Sequence, residues 1–352
     1  MVSDVIVIKV GTHVVTENGR VNEERLRRLV SDIDGLLDDG RAVVLVSSGA
    51  VAAALDCFET HATDSEVERR QVASAVGQVR LMQTYQALFS EHNRVCAQVL
   101  ATRSDFRDRQ HYLNMQRCLH ALLARGIVPV VNENDVVAVT ELMFTDNDEL
   151  AGLLAAMLGA SRLFLLSNVP GVLDENGEVI ADWQDSAARP MAALPTHSDF
   201  GRGGIHTKLR IARRAASLGT ETWIADGRQG GVVPALLAAT GQGTRFRAER
   251  SASSVKRWVA SSRGHEKGDV LINAGAARAL RDPERLASLL PVGVAAVRGD
   301  FEKGDIVRIE TDDGELVGWG RAQYGAEAAR QHLGQHGAKA LVHYDYLHIE
   351  SP

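Results

Sequence analysis

An α/β domain on a mainly parallel sheet, followed by a small, mostly β domain, is the architecture this sequence predicts. Three observations carry that expectation. Short, near-continuous apolar runs alternate with stretches of helical spacing through about the first 245 residues, which is how strands buried on both faces of a parallel sheet read. Several of these runs close in glycine or short polar residues, and ligands of open α/β sheets gather beyond the strand ends. From Arg257 onward glycines become frequent and the apolar runs shorten, as in a small β domain.

The elements follow in order. Residues 5–10 form a first strand that contains Lys9 and closes in Gly11-Thr12. Residues 23–39 place Leu26, Leu29, Val30, Ile33, Leu36 and Leu37 at helical spacing behind Asn22, a residue suited to the N-cap. Residues 42–46 are a second buried strand ending in Ser47-Ser48-Gly49-Ala50, and residues 51–55 start a helix. A long helix is expected over 68–90, a strand over 95–100 and a helix over 115–124. Strands over 128–131, 163–166 and 222–225, with a helix over 209–218, complete the first half. In the tail, 304–309 and 316–319 flank Asp312-Asp313-Gly314 as a hairpin with an Asp-Gly turn. The chain thus divides into a first domain over 1–247, a linker over 248–260 and a second domain over 261–352.

Composition narrows the function. With 352 residues, 45% of them apolar and 24% charged, the chain is ordinary for a two-domain globular protein. A net charge of −6 argues against a general nucleic-acid binder, which needs a basic surplus. No apolar run approaches the roughly 18 residues of a membrane span. Cys57, Cys96 and Cys118 are isolated, so neither a disulfide framework nor a metal site is read from them. Residues 1–10 read as a strand rather than a targeting segment, and a cytoplasmic location is expected.

Four places hold chemistry-bearing residues. Asn132-Glu133-Asn134-Asp135 and Thr145-Asp146-Asn147-Asp148 gather carboxylates and carboxamides that suit an ammonium group, a carboxylate or a metal, and equally suit two turns. Lys9 in an apolar strand is costly unless its ammonium emerges into a polar site; snorkelling at a strand end is the plainer alternative. Ser47-Ser48-Gly49-Ala50 is either an anion-binding helix start or an ordinary cap and turn. Gly201-Arg202-Gly203-Gly204-Ile205-His206-Thr207-Lys208 combines glycines, a hydroxyl, a lysine and a helix start, a reasonable phosphate cradle whose alternative is a surface loop. The absence of G-x-x-x-x-G-K-[ST] excludes a P-loop.

Taken together and in order, Lys-Val-Gly-Thr at 9–12, Ser-Ser-Gly-Ala at 47–50, Val76-Gly77-Gln78, Asn-Glu-Asn-Asp at 132–135, Asp-Asn-Asp at 146–148, Gly-Gly-Ile-His-Thr-Lys at 203–208 and Lys256-Arg257-Trp258 resemble the glutamate 5-kinase family. That family belongs to the amino acid kinase superfamily and carries a C-terminal PUA domain. The resemblance spans nearly the whole chain. It implies a three-layer sandwich with a mainly parallel central sheet, a small PUA-like domain, and transfer of the γ-phosphoryl of ATP to the γ-carboxylate of L-glutamate for proline synthesis. Such an acceptor needs no general base, since a carboxylate with a pKa near ~4.3 is already ionised at neutral pH. By the same resemblance Lys9 and Lys208 bridge the phosphoryl oxygens and Asp148 holds both. Ser48, Gly49, Asp135 and Asn147 match the glutamate-binding positions, with Asp135 on the α-ammonium. Gly11, Ser167, Asn168, Arg202, Gly203, Gly204, Ile205, His206 and Thr207 join the two lysines around ATP, with Gly11, Gly49 and Gly204 giving backbone room and N–H donors. Mg²⁺ is implied on the phosphates, held largely by ATP and water.

The chain departs from the family pattern at Ser167-Asn168, where Thr-Asp is usual, and at Arg202, Ile205 and His206, where Thr, Met and Ser are usual. Asn168 keeps the shape and loses the charge, which bears on nucleotide affinity rather than on the reaction. Arg202 either adds a phosphate contact or is solvated. The Ser167-Asn168-Val169-Pro170-Gly171 loop also resembles N-acetylglutamate kinases, the alternative reading; Asp135 argues for a free ammonium, since it would meet an acetamide poorly. RNA binding through the tail is a second alternative, opposed by acids outnumbering bases from residue 260 onward. Feedback inhibition by proline and a homodimer or homotetramer are further implications of the resemblance.

Overall fold

A computed structural model describes residues 4–54, 65–137, 146–184, 204–249, 257, 259, 266–282 and 287–350. The chain forms two compact units, Met1–Ser251 and Ala252–Pro352. Among the described residues no helix is long and apolar enough to cross a membrane.

The first unit is built on a seven-stranded sheet in the order β5-β6-β4-β1-β7-β8-β9. These strands are Cys96–Ala101, Val128–Glu133, Ala42–Ser47, Val5–Val10, Arg162–Ser167, Glu221–Asp226 and Thr244–Phe246. All neighbours are parallel except β9, which runs antiparallel to β8. A two-stranded ribbon of β2 (Thr16–Glu17) and β3 (Arg20–Val21) follows a one-turn helix α1 (Thr12–Val15). The apolar runs 5–10 and 42–46 are wholly buried, as a sheet covered on both faces requires.

Strand alternation decides which residue faces which layer. Ile6, Ile8 and Val10 join a core with Leu26, Val30 and Ile33 of α2 (Glu23–Asp38) and Leu81, Tyr85 and Phe89 of α4 (Glu66–Glu91). Lys9 therefore points to the opposite face, where α7 (Asn147–Leu158) packs on β1 and against α8 (Ile205–Ser217). Asn22 caps α2 by accepting from Arg25 N at 3.0 Å, and Ser65 with Glu68 forms a reciprocal capping box on α4.

Several helices start earlier than sequence spacing predicts. After a short helix α5 (Arg103–Arg107), the helix expected over 115–124 is α6 (Arg109–Leu123), because the Asp108 side chain accepts from His111 N at 2.8 Å and caps it there. The helix expected to be opened by Thr207 and Lys208 is α8, which begins at Ile205 with Gly204 as its N-cap. Strand β6 runs on through Asn132 and Glu133, since β5 pairs Leu100 with Asn132 and Ala101 with Glu133.

Gly77, inside α4, has a packing reason. A Cβ there would lie 1.7 Å from Ala50 O of the short helix α3 (Ala50–Ala53). Alanine in a helix interior normally gains about 1 kcal/mol over glycine. Here the clash with backbone wins, and Gly77→Ala is expected to cost about 1–3 kcal/mol and displace the Ser48-Gly49 turn. An unchanged thermal midpoint for this variant would contradict that packing account.

The second unit is a five-stranded sheet ordered β11-β10-β12-β13-β14, with strands Val294–Gly299, Gly268–Ile272, Ile306–Thr311, Leu316–Ala322 and Val342–Ile349. Only β10 and β12 are parallel. The expected hairpin is β12–β13, turning through Asp312, Asp313 and Gly314. Val270, Ile272, Val307, Ile309, Val317 and Val342 fill its core beneath the helices Ala274–Arg281 and Ala326–Gln331.

Candidate active site

From β1 the sheet grows on one side through β4, β6 and β5 and on the other through β7 and β8, so the order reverses at β1. A crevice beyond the carboxyl ends of the strands forms at such a reversal. Lys9, Ser48, Asn132 and Ser167 all stand at or just beyond the ends of these strands.

Asp146 caps α7, its side chain accepting from Asp148 N at 3.2 Å, and this sets Asp148 in the first turn beneath β1. One carboxylate oxygen of Asp148 lies 2.6 Å from Lys9 Nζ and the other 2.8 Å from Lys208 Nζ. Gly152 lets α8 come this close, since a Cβ there would sit 2.8 Å from Ile211 Cγ2. Lys9 and Lys208 are 3% and 6% exposed and Asp148 is 0% exposed, so these charges interact out of water. Asp146 adds longer contacts, 3.5 Å to Lys9 and 4.0 Å to Lys208.

Burial alone works against each charge. For Lys9 it is outweighed by Asp148 and then Asp146, which hold its ammonium above the ordinary value. For Asp148 burial is outweighed by Lys9 and Lys208, which hold its carboxyl well below the usual carboxylate range. Asp146 is pushed upward by burial, with Lys9 opposing.

A neutral network adjoins this charged one. Asn147 Nδ2 donates to Ser48 Oγ and to Asn132 Oδ1, both at 2.9 Å, and Asn132 Nδ2 donates to Gln78 Oε1 at 2.9 Å. The side-chain oxygen Oδ1 of Asn147 is buried with no hydrogen-bond partner. Asp135, 8% exposed, accepts from Arg70 at 2.7 Å and from Ser74 Oγ at 3.1 Å.

The structure thus brings together Lys9, Lys208, Asp148, Asn147 and Ser48 through direct contacts, with Asp135 close along the chain from Asn132. Gly49 caps α3, and Gly204, Ile205, His206 and Thr207 open α8, with His206 exposed. Ser167 ends β7 with its hydroxyl buried and unpartnered, and Asn168 beside it is exposed. Arg202 and Gly203 lie outside the described residues. One expectation fails: Gly11 is not a spare N–H donor, because its N–H already donates to Leu166 O at 3.0 Å where β1 meets β7. A Cβ there would stand 3.5 Å from Lys9 Nζ and from Leu166 O, ordinary contact distances.

Sequence reasoning gave no role to Arg70, Ser74 or Asp146. Arg70 and Ser74 reach Asp135 from α4, and only the fold brings them there. For Asp146 a signal was present, since an Asp before a helical run is a cap candidate.

The amino acid kinase family model matches residues 4–226, and the PUA domain model matches residues 268–344. The chain is 46% identical over 349 residues to a glutamate 5-kinase of Chlorobaculum tepidum, covering 98% of this chain and 97% of that protein. It is 42% identical to a glutamate 5-kinase of Bacteroides thetaiotaomicron, covering 98% of each. Among solved structures, a carbamate kinase from Giardia lamblia bound to AMP-PNP aligns at 17% identity with a TM-score of 0.49, over 70% of this chain and 99% of that one.

Proposed function

The chain belongs to the amino acid kinase family and, within it, to the glutamate 5-kinases, and on that premise we propose how its residues transfer the γ-phosphoryl group of ATP to the γ-carboxylate of L-glutamate. The product is L-glutamyl 5-phosphate, at the first step of proline biosynthesis. The enzyme is a phosphotransferase whose acceptor is a carboxyl group.

The observation that carries the mechanism is the single buried carboxylate of Asp148 shared by Lys9 and Lys208. Phosphoryl transfer asks for little covalent chemistry from protein, and depends on alignment and on cancelling charge over the moving group. An ammonium has three donors, so each lysine can hold Asp148 and still reach a phosphoryl oxygen. Asp148 fixes both side chains before substrate arrives, which removes reorganisation from the reaction itself. The acceptor carboxylate enters already ionised, and no general base is required.

Nucleotide binding is supported by the buried, unpartnered hydroxyl of Ser167, which ends β7 next to Gly11, itself close to Lys9 Nζ. The start of α8 at Ile205 offers N–H groups and a helix dipole to phosphate. Asp146 and Asp148 are engaged with lysines, and among the described residues no group of three or more acidic, His or Cys side chains is arranged to hold a metal ion. That donor set fits a Mg²⁺ carried by phosphates and water, which when bound would cancel charge on the leaving diphosphate. Asp135 takes the α-ammonium, consistent with the cation of Arg70 already resting on it. Asn147, with its unpartnered oxygen, and Ser48 orient the same substrate.

ATP, Mg²⁺ and hydroxylamine, offered with L-glutamate and N-acetyl-L-glutamate in parallel, test this reading by trapping the acyl phosphate as a hydroxamate. Hydroxamate from free glutamate alone is expected. Hydroxamate from the acetylated substrate alone would contradict the placement of Asp135 on an ammonium.

A further inference from the structure

Three charges mark L-glutamate, and the site described so far answers two of them. Lys9 and Lys208 serve the γ-carboxyl end, and Asp135 serves the α-ammonium. The α-carboxylate sits on the same carbon as the ammonium, so a cation that answers it would stand beside Asp135. Among the described residues the cation paired with Asp135 is Arg70, at 2.7 Å, with its Nη2 also 3.9 Å from Glu133.

The local structure holds Arg70 in place. Arg70 and Ser74 lie one turn apart on α4, hence on one face, and both donate to Asp135. Between them Gln71 donates to Val136 O at 2.8 Å, so this turn of α4 clasps the 135–136 loop. Yet the Nε of Arg70 is buried and has no hydrogen-bond partner. An unsatisfied buried donor on a guanidinium is costly to leave unmade. A guanidinium presents five N–H donors in a planar fork that matches a carboxylate, so Arg70 can keep Asp135 and still accept a second acid.

We propose that Arg70 binds the α-carboxylate of the amino-acid substrate through its unpartnered Nε, while Asp135 binds the α-ammonium. The Arg70–Asp135 pair is then a complement to a zwitterion, with each charge of the substrate meeting its opposite. This deepens the glutamate kinase reading and rests on it. The competing account is that Arg70 only neutralises Asp135 and gives way when the ammonium arrives.

The two accounts separate with L-glutamate α-amide, which keeps the ammonium and the γ-carboxylate and replaces only the α-carboxylate by a neutral group of similar shape. kcat/KM for both substrates is measured by hydroxamate formation in wild type, Arg70→Met and Arg70→Lys. Wild type is expected to prefer L-glutamate by about 10²-fold or more, the scale of a buried charge pair. Arg70→Met is expected to lose about 10²-fold on L-glutamate, little on the amide, and thus most of the preference, with KM for ATP within about twofold. Arg70→Lys, which keeps the charge and loses the fork, is expected to fall between, and carries the test if the Met variant does not fold. Equal losses on both substrates, or a wild type that does not discriminate, would overturn the proposal. A wild type inactive on L-glutamate would overturn the kinase reading itself, before any variant is compared.

Discussion

Asp148→Asn is expected to lower kcat by about 10³-fold and to destabilise the fold by about 3–5 kcal/mol, the scale of leaving buried charge uncompensated. The substitution preserves shape, so both effects report charge. In the wild type Asp148 is fully buried and ties Lys9 to Lys208, and its loss leaves the two buried ammonium groups with only the longer contacts of Asp146 among the described residues. The pH dependence follows with a definite sign. The carboxyl of Asp148 is held below its ordinary value, so its contribution to stability is present above the unfolded pKa and is lost only as pH falls through the folded one. Lys9 is held above its ordinary 10.5, so its contribution is complete below that value and is lost only at higher pH. The contributions of Asp148 and Lys9 are therefore flat between about pH 5 and 10, while Asp146, pushed upward by burial, adds a stabilisation that is lost as pH rises through its folded value. In Asp148→Asn the larger of the two carboxylates that offset burial is gone and only Asp146 remains, so the Lys9 amine is expected to titrate below 10.5. The unfolded chain then binds more protons, and the variant should gain stability as pH rises from neutrality toward 10. Thermal unfolding of both proteins across that range checks this; parallel curves would contradict it.

Lys208→Met and Lys9→Met are each expected to lower kcat by about 10²-fold or more while the fold survives. Methionine keeps the length and apolar body of the stem, and the remaining lysine still neutralises Asp148. The loss should fall on kcat more than on the KM for L-glutamate, because charge on the phosphoryl group is greatest in the transition state. Both lysines act through one carboxylate, so the double variant should lose far less than the product of the single losses. Steady-state kinetics at saturating ATP decides this. A single variant within about threefold of wild-type kcat would remove that lysine from the transition state.

Much of this centre was legible in sequence because its residues break local rules. Lys9 violates an apolar strand, and the short acids and amides at 132–135 and 146–148 cluster where apolar runs close. Fold class was legible for the opposite reason, in that wholly apolar runs such as 42–46 admit few arrangements other than a doubly covered sheet. What stayed hidden depends on caps and on distant partners. The early starts of α6 and α8 rest on Asp108 and Gly204, where no helical spacing is yet visible. Arg70 was hidden because it looks like a solvated residue of a long helix, and only the approach of α4 to the loop after β6 gives it a partner. The engagement of the Gly11 N–H was hidden too, since register between β1 and β7 decides it.

The path of one oxygen atom identifies the nucleophile that attacks phosphorus. If the γ-carboxylate of L-glutamate attacks the phosphoryl group held by Lys9 and Lys208, that carboxylate oxygen becomes the bridge to phosphorus. Hydroxylamine then attacks the acyl carbon and expels phosphate with the oxygen attached. With both γ-carboxylate oxygens labelled as ¹⁸O, the account predicts one labelled oxygen in each phosphate released. Unlabelled phosphate would mean that water attacks instead, and would contradict the account.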